Sequence, residues 1–107
     1  MTVYVDNFGV SATVGSIKGR WSHMIADTQE ELHEMADKIG LQRRWFQLPK
    51  KHNGKPFPPD SYAANAWHYD VVQTKRRAAI ALGAVPIDWL ELPDLIHHRM
   101  EHGTCRP

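Results

Sequence analysis

Leu32, Met35, Ala36 and Ile39 recur at i, i+3, i+4 and i+7, which places one apolar stripe along a helix spanning residues 28–39. Asp27 with Glu30 has the spacing of a capping box, and Gly40 supplies the left-handed residue on which helices commonly end. An amphipathic helix of this kind needs an apolar surface to lie on. Val3-Tyr4-Val5 and Trp21–Ala26 read as strands before it, and Arg43–Gln47 as a strand after it. A strand-helix-strand unit is expected to be parallel with a right-handed crossover. The chain is therefore expected to form a small single α/β domain over residues 1–107. Its sheet is expected to be mostly parallel, with three to five short strands and about three helices.

The remaining segments fit around that unit. Asn7–Gly19 contains Gly and Ser and reads as a loop, with a loose hairpin around Ala12–Val14. Residues 48–66 carry four Pro and three Lys and read as one long loop. Asp70 and Gln73 again have capping-box spacing before a helix over Val71–Leu82 that Gly83 stops. Ala84–Ile87 is a short strand whose Pro86 favours a sheet edge. Pro93 opens a last helix through Leu95, Ile96, Arg99 and Met100.

Composition removes some function classes. An apolar content of 42% supports a folded core, and a formal charge of +1 means that any basic site is local. The single Cys105 has no intrachain partner, which fits a reducing compartment. Neither a leader-like N-terminus nor an apolar run of roughly 20 residues is present, so a cytoplasmic protein without a membrane partner is expected.

Several boxes occur in a fixed order: Val3-Tyr4-Val5-Asp6, Trp21–Asp27, Glu30-Glu31-Leu32-His33, Arg43–Gln47, His68-Tyr69-Asp70, and Lys75-Arg76 followed by Gly83-Ala84. With these boxes the chain resembles DUF4031, a family of short bacterial and bacteriophage proteins defined as a domain of unknown function. The resemblance implies no activity or cofactor. The phage relatives imply one role, sequestration of a host signalling nucleotide. The loop over residues 48–66 is longer than the resemblance leads one to expect.

Two groups of residues point to a phosphorylated ligand. His68 and Asp70 share a side if extended, and Asp70 would cap a helix whose free N–H groups and cations at Lys75, Arg76 and Arg77 suit an anion. Trp21 and His23 share one face of their strand, and Trp45 with Arg43 offers a second stacking surface. The plainer readings are a solvated helix face for the cations and core positions for the tryptophans.

A third group suits a divalent ion: Asp6, His23, Asp27, His68 and Asp70 supply imidazole and carboxylate donors. No standard metal-motif spacing joins them. His33 reads as a boundary residue, and His97, His98 and His102 as an incidental cluster on the last helix. The leading expectation is a binding module for a small phosphorylated ligand, a nucleotide or nucleotide-derived signal. His68, Asp70, Lys75, Arg76, Trp21, His23, Trp45 and Arg43 would form its site. The first alternative is a metal-dependent phosphodiesterase or nuclease. The second is an interaction protein without a small ligand, and a homo-oligomer is expected because so small a chain has little concave surface of its own.

Overall fold

The computed structural model describes residues 2–49 and 51–107, so Met1 and Lys50 of the expected elements lie outside it. Strand β1 (Val3–Val5) is followed by a hairpin of β2 (Val10–Val14) and β3 (Ile17–Ala26). Helix α1 (Gln29–Lys38) leads to a single 3-10 turn at Arg43–Trp45. A minimal hairpin, β4 (Lys51–His52) with β5 (Lys55–Pro56), and the one-turn helix α2 (Tyr62–Asn65) interrupt the expected long loop. Strand β6 (Tyr69–Val72) runs directly into helix α3 (Gln73–Ala81). Strand β7 (Val85–Pro86), a 3-10 turn (Trp89–Glu91) and helix α4 (Leu92–His102) complete the order. Among the described residues, no helix is long and apolar enough to cross a membrane.

The domain is small and mixed α/β, as expected, but its main sheet is mostly antiparallel. Strand β3 pairs antiparallel with β1, β2 and β6, and only β7 is parallel, on β1. The expected parallel sheet fails for two reasons. Val10–Gly19 forms a regular hairpin on β3, and Arg43–Gln47 coils into a 3-10 turn whose backbone joins the sheet through a bridge from Gln47 to His68 while Phe46 packs on Tyr69. Pro86 does sit in an edge strand, where its missing N–H costs no ladder bond.

Trp21 pairs with both Val10 and Val72, and Met24 with both Val5 and Tyr69. A strand residue has one partner per edge, so β1 and β2 share one edge of β3 and β6 takes the other. Between β1 and β2 the ladder is broken. Asp6 N–H still donates to the His23 carbonyl at 3.0 Å, but Asn7-Phe8-Gly9 then stand against Ser22 alone. This bulge needs Gly9 at φ +62°, and the Gly9 N–H donates to Ser22 Oγ at 3.1 Å.

The alternation of β3 decides what lies on each side of the sheet. Met24 and Ala26, with Val3, Val5, Tyr69 and Val71, face α1 and α3 and pack on Leu32, Met35, Ala36, Ile39 and Ala79. Complete burial of a side chain such as Leu32 or Met24 contributes about 1.5–3 kcal/mol. On the opposite face, Tyr4, Ile25 and Ile87 pack on Leu95, Ile96 and Cys105. That second core stops at Ile25. His23 and Trp21, the next two residues of β3 on this face, are only partly buried.

Two expected caps lie elsewhere. Thr28, not Asp27, caps α1: its Oγ1 accepts from Glu31 N–H and donates to the Glu31 carboxylate, so the capping box is shifted by one residue. Asp70 is a strand residue opposite His23, and the residue before α3 is Val72, which has no side-chain cap.

Candidate metal centre

The part of the sheet face beyond Ile25 is polar. Trp21 and His23 on β3, Asp70 and Val72 on β6, and Asp6 just past β1 occupy neighbouring positions there, because cross-strand partners share a face. His68 precedes β6, and its backbone N–H and C=O both pair with Gln47, at 3.1 and 2.8 Å. It stands two residues from Asp70, on the same side, as the extended reading of the sequence required.

Asp6 is fully buried and makes three bonds. Its Oδ2 accepts from His23 Nδ1 at 2.7 Å, while Oδ1 accepts from the backbone N–H of His23 at 2.8 Å and of Phe8 at 3.2 Å. The bulge gives it these partners, because it carries the His23 and Phe8 amides out of the β1–β2 ladder. Burial pushes the Asp6 carboxyl up, but the bonds and charge of His23 outweigh it and hold the group below its usual range. For His23 the hydrogen bond to Asp6 is the largest influence and raises the imidazole above its ordinary value against the effect of burial; the Asp6 and Asp70 charges add to it. Arg76 Nε donates to the Asp6 carbonyl at 2.7 Å and steadies the bulge from α3.

With Nδ1 bound to Asp6, His23 has Nε2 as its free nitrogen. His68 is fixed in the same sense: its Nδ1 meets the Ala66 carbonyl at 2.8 Å and its Nε2 lies 3.3 Å from Asp70 Oδ1. A carbonyl only accepts, so Nδ1 carries the proton and neutral His68 presents a lone pair toward the Asp70 carboxylate. Two lone pairs at that distance repel unless a cation stands between them, either a proton or a metal ion. One ligand atom from each of His23, His68 and Asp70 lies within 4.8 Å of the others, and the two rings meet edge to face at 5.3 Å. Metal bonds of about 2.0–2.2 Å bring neighbouring ligand atoms to about 3–3.6 Å, a spacing that His68 and Asp70 already have. Two imidazoles whose outer N–H groups are held by a carboxylate and a carbonyl, plus one carboxylate, form an open three-ligand set whose ring orientations are already fixed.

Two clefts flank this point. The larger, of about 570 Å³, has Trp21, Arg44, Trp45, Asp70 and Lys75 in its walls. The smaller, of about 240 Å³, is bounded by Phe8, Val10, Val14, Trp21, His23 and Asp70. Trp21 is held in place by its Nε1–H, which donates to the Ala12 carbonyl at 3.1 Å, and Phe8 stacks on the His23 ring at 5.4 Å.

Of the expected site residues, Asp6, His23, His68 and Asp70 come together, and Trp21 and Trp45 share a cleft. Neither tryptophan is a core residue. Asp27 lies at the far end of β3, where its carboxylate accepts from Thr2 N–H at 3.0 Å and Cys105 N–H at 2.8 Å, so it is no ligand here. Lys75 Nζ donates to the Ile39 carbonyl at 2.7 Å and closes the end of α1. Arg76 serves Asp6, and Arg77 is exposed. The capped helix N-terminus that was to bind an anion is therefore not formed as expected. Arg43 lies 3.9 Å from Asp37, while Arg44 lines the cleft instead, because the 3-10 turn rotates successive residues by about 120° rather than alternating them. Arg44 and Phe8 went unnoticed in the sequence, and only Gly9 hinted at the bulge that places Phe8.

Other reactive groups are occupied elsewhere. His33 Nδ1 is hydrogen-bonded to the Tyr69 hydroxyl at 2.8 Å, and burial followed by the Arg43 charge holds its imidazole below the usual value. The rings of His98 and His102 are 4.4 Å apart, yet His23, His68 and Asp70 are the one group of three potential metal ligands among the described residues. Cys105 is buried, and desolvation pushes its thiol up to about 12, which removes it as a nucleophile.

The profile of a family described as "Protein of unknown function (DUF4031)" matches residues 3–99. No curated protein and no solved structure matches the chain.

Proposed function

Since the chain belongs to the DUF4031 family, whose description assigns no activity, we propose from the site alone that it is a divalent-metal-dependent phosphoester hydrolase. One observation carries the reading. His23, His68 and Asp70 converge within 4.8 Å while Asp6 and the Ala66 carbonyl hold the outer nitrogens of both rings. Three protein ligands with an open position suit zinc as a Lewis acid, which lowers the pKa of a bound water to about 7.

The chain's own groups would do the rest. Asp6 keeps the His23 Nδ1 protonated, so that Nε2 faces outward, and Asp6 and Asp70 together balance a dipositive ion. Hydroxide would attack phosphorus as the bond to the leaving oxygen breaks, and that oxygen takes a proton from solvent. Arg44 supplies positive charge in the adjoining cleft.

The test is hydrolysis of bis(p-nitrophenyl) phosphate by protein loaded with zinc or manganese. Expected are turnover that chelation abolishes and re-addition of metal restores, and loss of turnover in His68→Ala. Turnover indifferent to chelator, or unchanged in His68→Ala, contradicts the reading. The second reading, a nucleotide-binding module without chemistry, is favoured by the Trp21 and Trp45 walls of the larger cleft. It predicts that a bound nucleotide is recovered intact from metal-loaded protein.

A further inference from the structure

We infer that the substrate is a phosphodiester extending to both sides of the metal centre, with a nucleobase held in the larger cleft; this rests on the hydrolase reading above. The starting point is a shared wall. Val14, Trp21 and Asp70 border both clefts, so the two cavities adjoin beside the ligand Asp70, and a phosphorus atom held there can send a substituent into each. A phosphomonoester would leave one of the two empty, whereas a diester has a substituent for each.

The linings differ in chemistry. The larger cleft offers two indole faces, Trp21 and Trp45, with Arg44 and Lys75 beside them. The two tryptophans come from different parts of the fold, β3 and the 3-10 turn, and Trp45 is 37% exposed although it is among the largest apolar side chains. The Trp21 ring is oriented in this wall by its N–H bond to the Ala12 carbonyl. Flat aromatic walls with cations nearby recognise nucleobases joined to phosphate, since every base has a π-face and the cations meet the backbone. The smaller cleft is apolar on its hairpin side, through Val10 and Val14, and is also lined by Phe8, which stacks on His23. It suits the leaving group or the neighbouring nucleoside. The class implied is a short single-stranded oligonucleotide or a dinucleotide. A free mononucleotide occupies only one side.

The test compares three chromogenic esters on zinc-loaded protein: thymidine 5′-(p-nitrophenyl) phosphate, methyl p-nitrophenyl phosphate and p-nitrophenyl phosphate. The first is expected to exceed the other two in kcat/KM by at least about tenfold, the effect of one stacked base. Trp45→Ala should raise KM for the thymidine ester about 5- to 100-fold and leave the methyl ester nearly unchanged. Trp21→Phe should retain most of the preference, which separates stacking from mere folding. Equal kcat/KM for the thymidine and methyl esters, or faster cleavage of the monoester, overturns the inference and leaves the hydrolase intact. If no ester turns over, the hydrolase reading fails by itself, and tryptophan quenching by thymidylyl-thymidine and by thymidine 5′-phosphate still decides the inference. Saturable quenching, tighter for the dinucleotide and weakened in Trp45→Ala, upholds it, and any other outcome overturns it.

Discussion

Asp6 and Asp27 are both buried, both follow a β-strand directly, and both accept hydrogen bonds from backbone amides, yet they do different work. Asp27 gives both oxygens to N–H groups, Thr2 at one terminus and Cys105 at the other, and so ties the chain ends to β3. Beside it Arg99 is buried, donates to the carbonyls of Ala26 and Asn65, and lies 3.5 Å over the Trp67 ring. Among the described residues, no buried side-chain nitrogen or oxygen there lacks a partner. Asp6 gives one oxygen to amides and the other to an imidazole whose far nitrogen points to an open surface. The difference comes from covering: α4 packs over the Ile25 end of this face and leaves the His23 end only partly covered. A buried carboxylate becomes a stability element where the layer above it is closed. Where that layer is missing, the same group orients a side chain for chemistry.

Asp27→Ala breaks the comparison at its structural end and has the largest expected effect. It leaves two backbone N–H groups without acceptors, one of them fully buried, at a cost of about 2–4 kcal/mol, seen as a lower midpoint in urea. Zinc affinity of the folded fraction should be unchanged.

Asp6→Asn tests the other end. The asparagine oxygen can still serve the His23 and Phe8 amides, which turns its NH₂ toward His23 Nδ1 and drives the ring proton to Nε2. Zinc affinity by calorimetry should fall about 10- to 100-fold, with a smaller stability loss than in Asp27→Ala. Retained affinity would show that Asp6, like Asp27, is structural only.

Gly40→Ala should have a smaller effect. Gly40 has φ +83°, and an added Cβ would lie 3.2 Å from Lys75 Nζ. The expected loss is about 1–2 kcal/mol, measured by thermal melting, with zinc binding retained because Lys75 closes α1 rather than holding the ion.

The mildest effect is a pH dependence at the Asp6 end. The raised His23 imidazole contributes stability that is fully present below the ordinary histidine value, about 6.5, and is lost as pH rises through its own value. The lowered Asp6 carboxyl contributes stability present above the ordinary carboxylate value and lost as pH falls through its own. Melting of metal-free protein should therefore decline on both sides of the interval between them. Asp6→Asn should flatten both limbs.

Much of the site was legible in the sequence, and the reason is local. His68 and Asp70 are alternate residues of an extended segment, and an imidazole-carboxylate set draws notice through its side-chain chemistry alone. Asp6 and Asp27 were indistinguishable, because what separates them is a bulge at Asn7–Gly9 and the place where α4 ends, both set by tertiary pairing. The same gap explains the sheet. The α1 stripe was clear from its spacing, but Arg43–Gln47 carries strand-like residues that, between the turn at Ile39-Gly40 and the bridge to His68, form a 3-10 coil. Lys75 and Arg76 looked like a free cationic face, since no local pattern reveals that Ile39 and Asp6 present carbonyls to them.

The most direct measurement is a calorimetric titration of metal-free protein with zinc at neutral pH, repeated on His68→Ala and Asp70→Ala. One ion per chain is expected to bind the unaltered protein, and each variant should lose that binding while its melting temperature stays within a few degrees. Absence of saturable binding, or binding that both variants keep, would contradict a metal centre at His23, His68 and Asp70.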